Sequence, residues 1–379
     1  MRSSSRGEVD PFIVMDVMEA ARAEEARGRS IIHMEVGQPG TPAPRGARAA
    51  LASALETRPL GYTVALGLPE LRARIARLYG EWYGIDLDPA RVVVTSGSSA
   101  GFLLAFTALF DAGERVAIGE PGYPSYRNIL KSLSLEPVGI ETRAEHRFQP
   151  VPSDLARDDL AGVLIASPAN PTGTMLDAEA LGALIAAAAE RDIAFVSDEI
   201  YHGIQYGGRA VTALELSDEV YVINSFSKYF SMTGWRIGWM VVPEAHARKV
   251  ERLAQNMFIC PSHASQVAAL AAMEEGDELE ANLGTYRANR ALMLAELPKA
   301  GFGDIAPPDG AFYAYADVSG WGEDSRTLAA RILREAGVAV TPGLDFDPGR
   351  GAGTLRFSYA GATGDIAEGL RRLRAWAGR

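Results

Sequence analysis

Ser225-Phe226-Ser227-Lys228 combines residue types that could do chemistry beyond packing. The chain holds only four lysines, Lys131, Lys228, Lys249 and Lys299, so a reaction that needs a primary amine has four candidates. Lys228 stands apart from the other three. It follows the apolar run Val220–Asn224, has a serine on either side of Phe226 before it, and precedes Arg236 by eight residues. A lysine at a strand end is commonly a solvated loop residue. A desolvated lysine, however, is the nucleophile that Schiff-base chemistry uses. Two hydroxyls and a guanidinium close by suit a phosphate, because arginine reads phosphate oxygens in a bidentate way.

Two further apolar runs end in polar groups of complementary type. Ile193–Ser197 leads into Asp198-Glu199-Ile200-Tyr201, and Gly162–Ala166 leads into Ser167-Pro168-Ala169-Asn170-Pro171-Thr172-Gly173. Taken singly these are ordinary, since an Asp at a strand end often caps a helix and Asn-Pro-Thr-Gly is a turn. Together with Lys228 they put a carboxylate, a phenol, a carboxamide and an amine on one rim. That set matches the ring of pyridoxal phosphate, with an acid for the pyridine nitrogen and donors for the phenolate oxygen. Gly97-Ser98-Ser99-Ala100 lies between a strand pattern and a helical one, where N-terminal amides favour an anion.

The same turn, continued to Gly101, also satisfies G-x-S-x-G. With Asp198 and His263 it gives the chain order Ser…Asp…His of an α/β-hydrolase, with Ser99 as nucleophile. That alternative leaves Lys228 with its two serines, Arg236 and Arg356 without a role.

The elements that must position these groups alternate along the chain. Strand patterns at Arg91–Thr95, Arg115–Ile118, Gly162–Ala166, Ile193–Ser197, Val220–Asn224 and Ile237–Val242 are separated by helical stretches such as Ala100–Phe110 and Asp177–Glu190, the latter with Asp177 as N-cap. Alternation of this kind predicts a parallel sheet covered on both faces, with ligands beyond the C-terminal strand ends. After about residue 257 the texture changes. Helices are predicted at Ser262–Met273, Glu278–Leu297, Ser325–Ala336 and Thr363–Trp376, with short strands near Ala311–Ala316, Gly337–Thr341 and Thr354–Ser358. This reads as a smaller α+β domain that packs with the first ~45 residues.

Composition narrows the function classes. At 379 residues, 47% of them hydrophobic and 22% charged, the chain has material for two buried cores. A net charge of −11 with no basic stripe argues against nucleic acid or an anionic membrane as partner. No uncharged apolar stretch approaches the ~20 residues of a spanning helix. The polar N-terminus carries no secretory pattern, and the single cysteine, Cys260, suits a reducing cytoplasm. The five histidines lack metal-ligand spacing, so no metal is expected.

On these residues the chain resembles the class I/II aminotransferases of the fold-type I pyridoxal-phosphate enzymes. The likeness is carried by Asn170-Pro171-Thr172-Gly173, Asp198-Glu199-Ile200-Tyr201, Ser225 to Arg236 with Lys228, and Arg356-Phe357-Ser358. Gly61-Tyr62, Gly67-Leu68-Pro69-Glu70-Leu71-Arg72 and Pro121-Gly122-Tyr123-Pro124 extend it, so that it covers essentially the whole chain. The resemblance implies an α/β fold, with a mostly parallel seven-stranded-type sheet in a large domain (45–275) and a smaller α+β domain (1–44 and 276–379). It implies transfer of an amino group between an amino acid and a 2-oxo acid, and a homodimer with a shared active site.

The implied roles follow residue by residue. Lys228 carries pyridoxal 5'-phosphate as an imine and then moves the substrate proton. Asp198 keeps the pyridine nitrogen protonated, while Tyr201 and Asn170 bond the phenolate oxygen. Tyr123 stacks on the ring, and Ser98, Ser99, Ser225, Ser227 and Arg236 hold the phosphate, joined by Tyr62 from the neighbouring subunit. Arg356 clamps the substrate α-carboxylate beside Asn170, with Gly37 in the same pocket. Where the family usually continues Gly-x-Pro with an acidic-aromatic pair, Gly37-Gln38-Pro39 runs on to Gly40-Thr41-Pro42. Other reactions run on the same scaffold, β-elimination from a sulfur amino acid among them, as does effector sensing in some transcription regulators. The latter carry a DNA-binding domain ahead of the pattern, which here begins by about residue 12.

Overall fold

Short β-branched runs organise the centre of the molecule. In the computed structural model, which describes residues 2–378, seven of them form one sheet. They are β1 (Val92–Thr95), β2 (Arg115–Glu120), β3 (Glu136–Glu141), β4 (Gly162–Ala166), β5 (Ala194–Asp198), β6 (Tyr221–Ser225) and β7 (Gly238–Val241). The order across the sheet is β1-β7-β6-β5-β4-β2-β3, and β7 alone runs against the others. This is the mostly parallel seven-stranded sheet that the family resemblance implies, and the alternation marks six of its strands.

Side chains leave each strand on alternate faces. Val92 and Val94 of β1, Val163 and Ile165 of β4, and Trp239 and Val241 of β7 enter one apolar cluster. Val93, Leu164 and Met240, the residues between them, enter the cluster on the opposite face. With both faces covered, neither set can be polar, and the strands read as unbroken apolar runs. Each large side chain buried this way stabilises the fold by roughly 1.5–3 kcal/mol.

The strand β3 was not anticipated. It is an edge strand in which only Val138 and Ile140 are buried, and Pro137 and Gly139 mask its pattern. Edge strands tolerate both residues, because one side of their backbone pairs with nothing. The helix Ala178–Ala189 starts as read, with Asp177 accepting from the Ala180 N–H at 2.9 Å.

A second, antiparallel sheet comprises β8 (Gly303–Ile305), β9 (Tyr313–Asp317), β10 (Thr341–Pro342) and β11 (Thr354–Ser358), in the order β10-β11-β9-β8. The single strand expected at Gly337–Thr341 is in fact divided. Val338–Ala339 pairs in parallel with Ile32–His33, and Thr341–Pro342 joins the second sheet. Among the described residues no helix is long and apolar enough to cross a membrane.

The reversal of β7 matters for the site. Gly238 pairs with Thr95 of β1 on one side and Ser225 of β6 on the other, so the start of β7 lies at the C-terminal ends of its neighbours. Arg236, just before it, therefore reaches the same rim as Ser98 and Lys228. Were β7 parallel, four residues of strand would carry that arginine roughly 13 Å away, to the opposite edge.

Candidate active site

A cavity opens at this rim. Gly37, Ser98, Ser99, Tyr123, Asn170, Asp198, Tyr201, Ser227, Lys228, Arg236 and Arg356 all line it. The strand ends supply most of these groups, as expected for an open α/β sheet.

At its floor, Lys228 Nζ donates to the Gly37 carbonyl. The amine also stands over the Tyr201 and Phe312 rings, 5.6 and 5.9 Å from their centroids. Burial, with Arg356 adding repulsion, pulls its pKa down to about 7. Near neutral pH much of it is therefore an uncharged nucleophile. Asp198 is buried, and that burial pushes its carboxyl up to about 6. Two donors hold the carboxylate form against that penalty, the Tyr126 hydroxyl and the Ile200 N–H at 3.0 Å.

Asn170 and Arg356 meet across 186 residues of chain, Nη1 donating to Oδ1 at 2.8 Å. Because a guanidinium only donates, this contact fixes the carboxamide orientation and leaves its NH₂ as the free group. Arg356 Nη2 donates to the Glu35 carbonyl and, at 3.3 Å, to Thr341 Oγ1. Its Nε is buried without a partner. The Tyr201 and Tyr313 hydroxyls are 2.6 Å apart. Tyr313 also explains Gly37, since a Cβ there would sit 1.9 Å from the Tyr313 hydroxyl.

At the other end the helix Gly97–Leu109 begins with no side-chain cap, so its first amides remain uncommitted and favour an anion. Gly97 lies at φ +76°, and a Cβ on it would meet Arg236 Nη2 at 2.4 Å. Arg236 Nη1 donates to the Thr233 carbonyl at 3.1 Å. Ser225 lies directly behind the lining residue Ser227. Its hydroxyl donates to the Ile237 carbonyl at 3.0 Å and lies 2.9 Å from Ser227 Oγ, so that it buttresses Ser227 from behind.

Tyr62 lies outside the cavity of its own chain and is 83% exposed. His263 sits at the start of the helix His263–Ala272 and contacts the Gly61 carbonyl at 3.0 Å. It does not line the cavity with Ser99 and Asp198, so the hydrolase triad is not assembled.

Sequence reasoning missed Tyr126 and Tyr313, together with an apolar wall of Phe12, Val14 and Met15. Tyr126 follows Tyr123 by three residues, the spacing that puts both on one side of the helix start, and this was the available signal. The others look like core residues in the sequence.

Comparison with known proteins agrees with this geometry. The family model described as aminotransferase class I and II matches residues 29–373. The valine–pyruvate aminotransferase of Mycobacterium tuberculosis is 48% identical over 99% of this chain and 98% of its own. The aspartate aminotransferase of Sulfolobus acidocaldarius is 31% identical over 93% of this chain and 92% of its own. Among solved structures, a putative aminotransferase from Silicibacter pomeroyi superposes with a TM-score of 0.95 at 70% identity, covering 100% of both chains. An aminotransferase from Mycobacterium tuberculosis gives 0.97 at 47%, covering 100% of this chain and 99% of that one. The chain belongs to the class I and II aminotransferase family, whose members are pyridoxal-phosphate enzymes. It is an enzyme that moves an amino group between an amino acid and a 2-oxo acid.

Proposed function

We propose that this cavity holds pyridoxal 5'-phosphate on Lys228 and takes a branched aliphatic amino acid, valine foremost, as donor, with pyruvate as the oxo acid. The carrying observation is the Lys228 amine, drawn down to about 7, within a cavity that Asp198, Arg236 and Arg356 also line. The residues fit the group. The space that Gly97 leaves beside Arg236 and the uncapped amides of its helix suit a phosphate. Bound there, the cofactor supplies an electron sink that loosens the donor's Cα–H bond and carries the amino group between substrates.

The chain's own residues do the rest. Lys228 Nζ takes the proton from Cα and returns it, a role that needs a pKa near the working pH. Asp198, ionised above about pH 6, keeps a proton on the pyridine nitrogen. Asn170 offers its NH₂ to the phenolate oxygen, because Arg356 already occupies Oδ1. Tyr201 offers its O–H there, with the Tyr313 hydroxyl 2.6 Å away. Tyr123 covers the ring; Ser98, Ser99, Ser227 and Arg236 receive the phosphate, with Ser225 acting through Ser227. Arg356 grips the α-carboxylate with its unpartnered Nε edge.

Phe12, Val14 and Met15 face the donor's side chain. Among the described residues the only arginines lining the cavity are Arg236 and Arg356, so a second substrate carboxylate finds no guanidinium of its own among them. This and the valine–pyruvate activity in the name of the Mycobacterium tuberculosis relative support the aliphatic donor.

Residues 45–275 would form the unit that carries the cofactor, and residues 1–44 with 276–379 the unit that carries the carboxylate clamp. Tyr62, Val64, Met257 and Ile259 are exposed, and the Thr63 N–H approaches Cys260 Sγ at 3.4 Å, bringing the two segments together. An apolar patch of this kind suits a second copy of the chain, with Tyr62 reaching the partner's phosphate. A reduced Cys260 suits a cytoplasmic enzyme. A half-reaction screen tests the reading. Holoenzyme is mixed with each amino acid alone, and conversion of the cofactor absorbance to the pyridoxamine form is followed. Rapid conversion by valine and slow conversion by aspartate is expected; the reverse order would overturn the donor assignment.

A further inference from the structure

Phe12, Val14 and Met15 wall the cavity, yet their own helix does little to hold them there. The helix Ile13–Glu25 starts after Phe12, which contributes no side-chain cap, so its first amides need partners from elsewhere. Asp345 provides them. Its Oδ1 accepts from the Ile13 N–H at 2.9 Å and its Oδ2 from the Val14 N–H at 3.3 Å, across 332 and 331 residues of chain. The carboxylate is only 4% exposed, and the positive end of the helix is what favours a negative charge there.

The same loop serves the carboxylate clamp. Thr341 Oγ1 lies 3.3 Å from Arg356 Nη2, and the Phe346 ring centroid is 4.6 Å from the Arg356 guanidinium carbon. The Phe346 carbonyl accepts from the Gly122 N–H at 3.0 Å, next to Tyr123. One short segment therefore fixes both the guanidinium for an α-carboxylate and the wall that the same substrate's side chain meets. At its other end the N-terminal strap is tied by Asp10, which accepts from Lys131 Nζ at 2.8 Å and, through its carbonyl, from Asn128 Nδ2 at 3.2 Å. Those contacts are exposed and contribute little. Asp345 is the buried fastening.

We infer that Asp345 is a positioning residue for donor selectivity. By capping a helix from the far end of the chain, it sets the distance between the Val14–Met15 wall and Arg356, so that a branched aliphatic side chain fills the gap. The inference rests on the proposed reading of the cavity as the amino-donor site.

The test compares half-reaction specificity constants for valine and alanine on holoenzyme. Loss of a helix cap corresponds to about fivefold. Asp345→Ala should lower the valine-to-alanine ratio by about that factor through valine alone, since alanine is too short to touch the wall. Asp345→Asn keeps one acceptor in nearly the same shape and should recover part of the ratio. Val14→Ala, with Asp345 intact, should reproduce the loss. Amide hydrogen exchange over residues 11–20 should quicken in Asp345→Ala, with the cofactor absorbance unchanged. An unchanged ratio, or an equal loss for both donors, overturns the inference while leaving the site reading intact. A wild-type enzyme that reacts with neither donor, or does not distinguish them, overturns the site reading itself, and it does so before any variant is made.

Discussion

Replacing Arg356 by lysine keeps a positive charge and removes the other features the site draws from that residue. The guanidinium lies between two rings, its carbon 4.4 Å from the Tyr313 centroid and 4.6 Å from that of Phe346. Nη1 is bonded to Asn170 at 2.8 Å, Nη2 to Glu35 and Thr341, and buried Nε has no partner. An ammonium is a point donor that cannot hold Asn170 and a carboxylate in one planar fork. Breaking a buried, hydrogen-bonded charge pair costs about 2–5 kcal/mol. With the charge retained the lower end applies, and about 2 kcal/mol is about a 30-fold fall in kcat/KM. Arg356→Ala should move towards about 4 kcal/mol, or about a thousandfold. Half-reaction traces with valine, alanine and glutamate measure this. The α-carboxylate is common to all three, so all should fall by the same factor while the cofactor spectrum stays normal. A loss confined to one donor would refute the clamp and make Arg356 a reader of side chains.

The remaining predictions concern the cofactor. Lys228, with its amine pulled down to about 7, should capture pyridoxal phosphate in cofactor-free protein at a rate that rises about tenfold per pH unit below 7 and levels off above about 8. Borohydride trapping and peptide mapping should place the adduct on Lys228; an adduct on Lys131, Lys249 or Lys299, or a flat pH profile, would exclude the assignment. Asp198→Asn should retain cofactor, more weakly, and slow exchange of the donor's α-proton on the order of 10²–10³-fold; near-normal exchange would remove the ring-nitrogen role. Mixing inactive Lys228→Ala and Tyr62→Ala subunits should restore activity, because one site of the heterodimer then carries neither defect. A protein that stays monomeric, or a mixture that stays inactive, would contradict the shared site.

Much of this was legible because backbone rules and chemistry coincide at strand ends. Val163, Leu164 and Ile165 announce a strand buried on both faces, and the polar residues that follow it must then lie on the rim. Strand boundaries shifted by one residue in places, as with Tyr221–Ser225 for the expected Val220–Asn224, without moving Lys228 off the rim. What stayed hidden depends on contacts between distant segments. Tyr313 touches Tyr201, and Asp345 caps a helix 332 residues earlier; no local pattern distinguishes either from a core tyrosine or a loop aspartate. Ser225 shows the same limit: the bonds of its hydroxyl to Ser227 Oγ and to the Ile237 carbonyl, just before β7, are not visible in its spacing to Lys228.

The reversed strand β7 also bears on the entropy of assembling the molecule. Lys228 and Arg236 lie on one short connection between paired antiparallel strands, so the two proposed anchors of the cofactor come together by local closure of the chain. Such closure is entropically cheap and fast. The contacts on the substrate side are of another kind: Lys228 to Gly37 spans 191 residues and Asn170 to Arg356 spans 186. Each closes a loop of about half the chain, at a greater entropic cost. Ordering the Lys228–Arg236 connection therefore costs less chain entropy than forming the contacts on the substrate side. A ligand that binds only the folded protein stabilises it by mass action, so a cofactor held at this rim would strengthen the fold as well as take part in transamination.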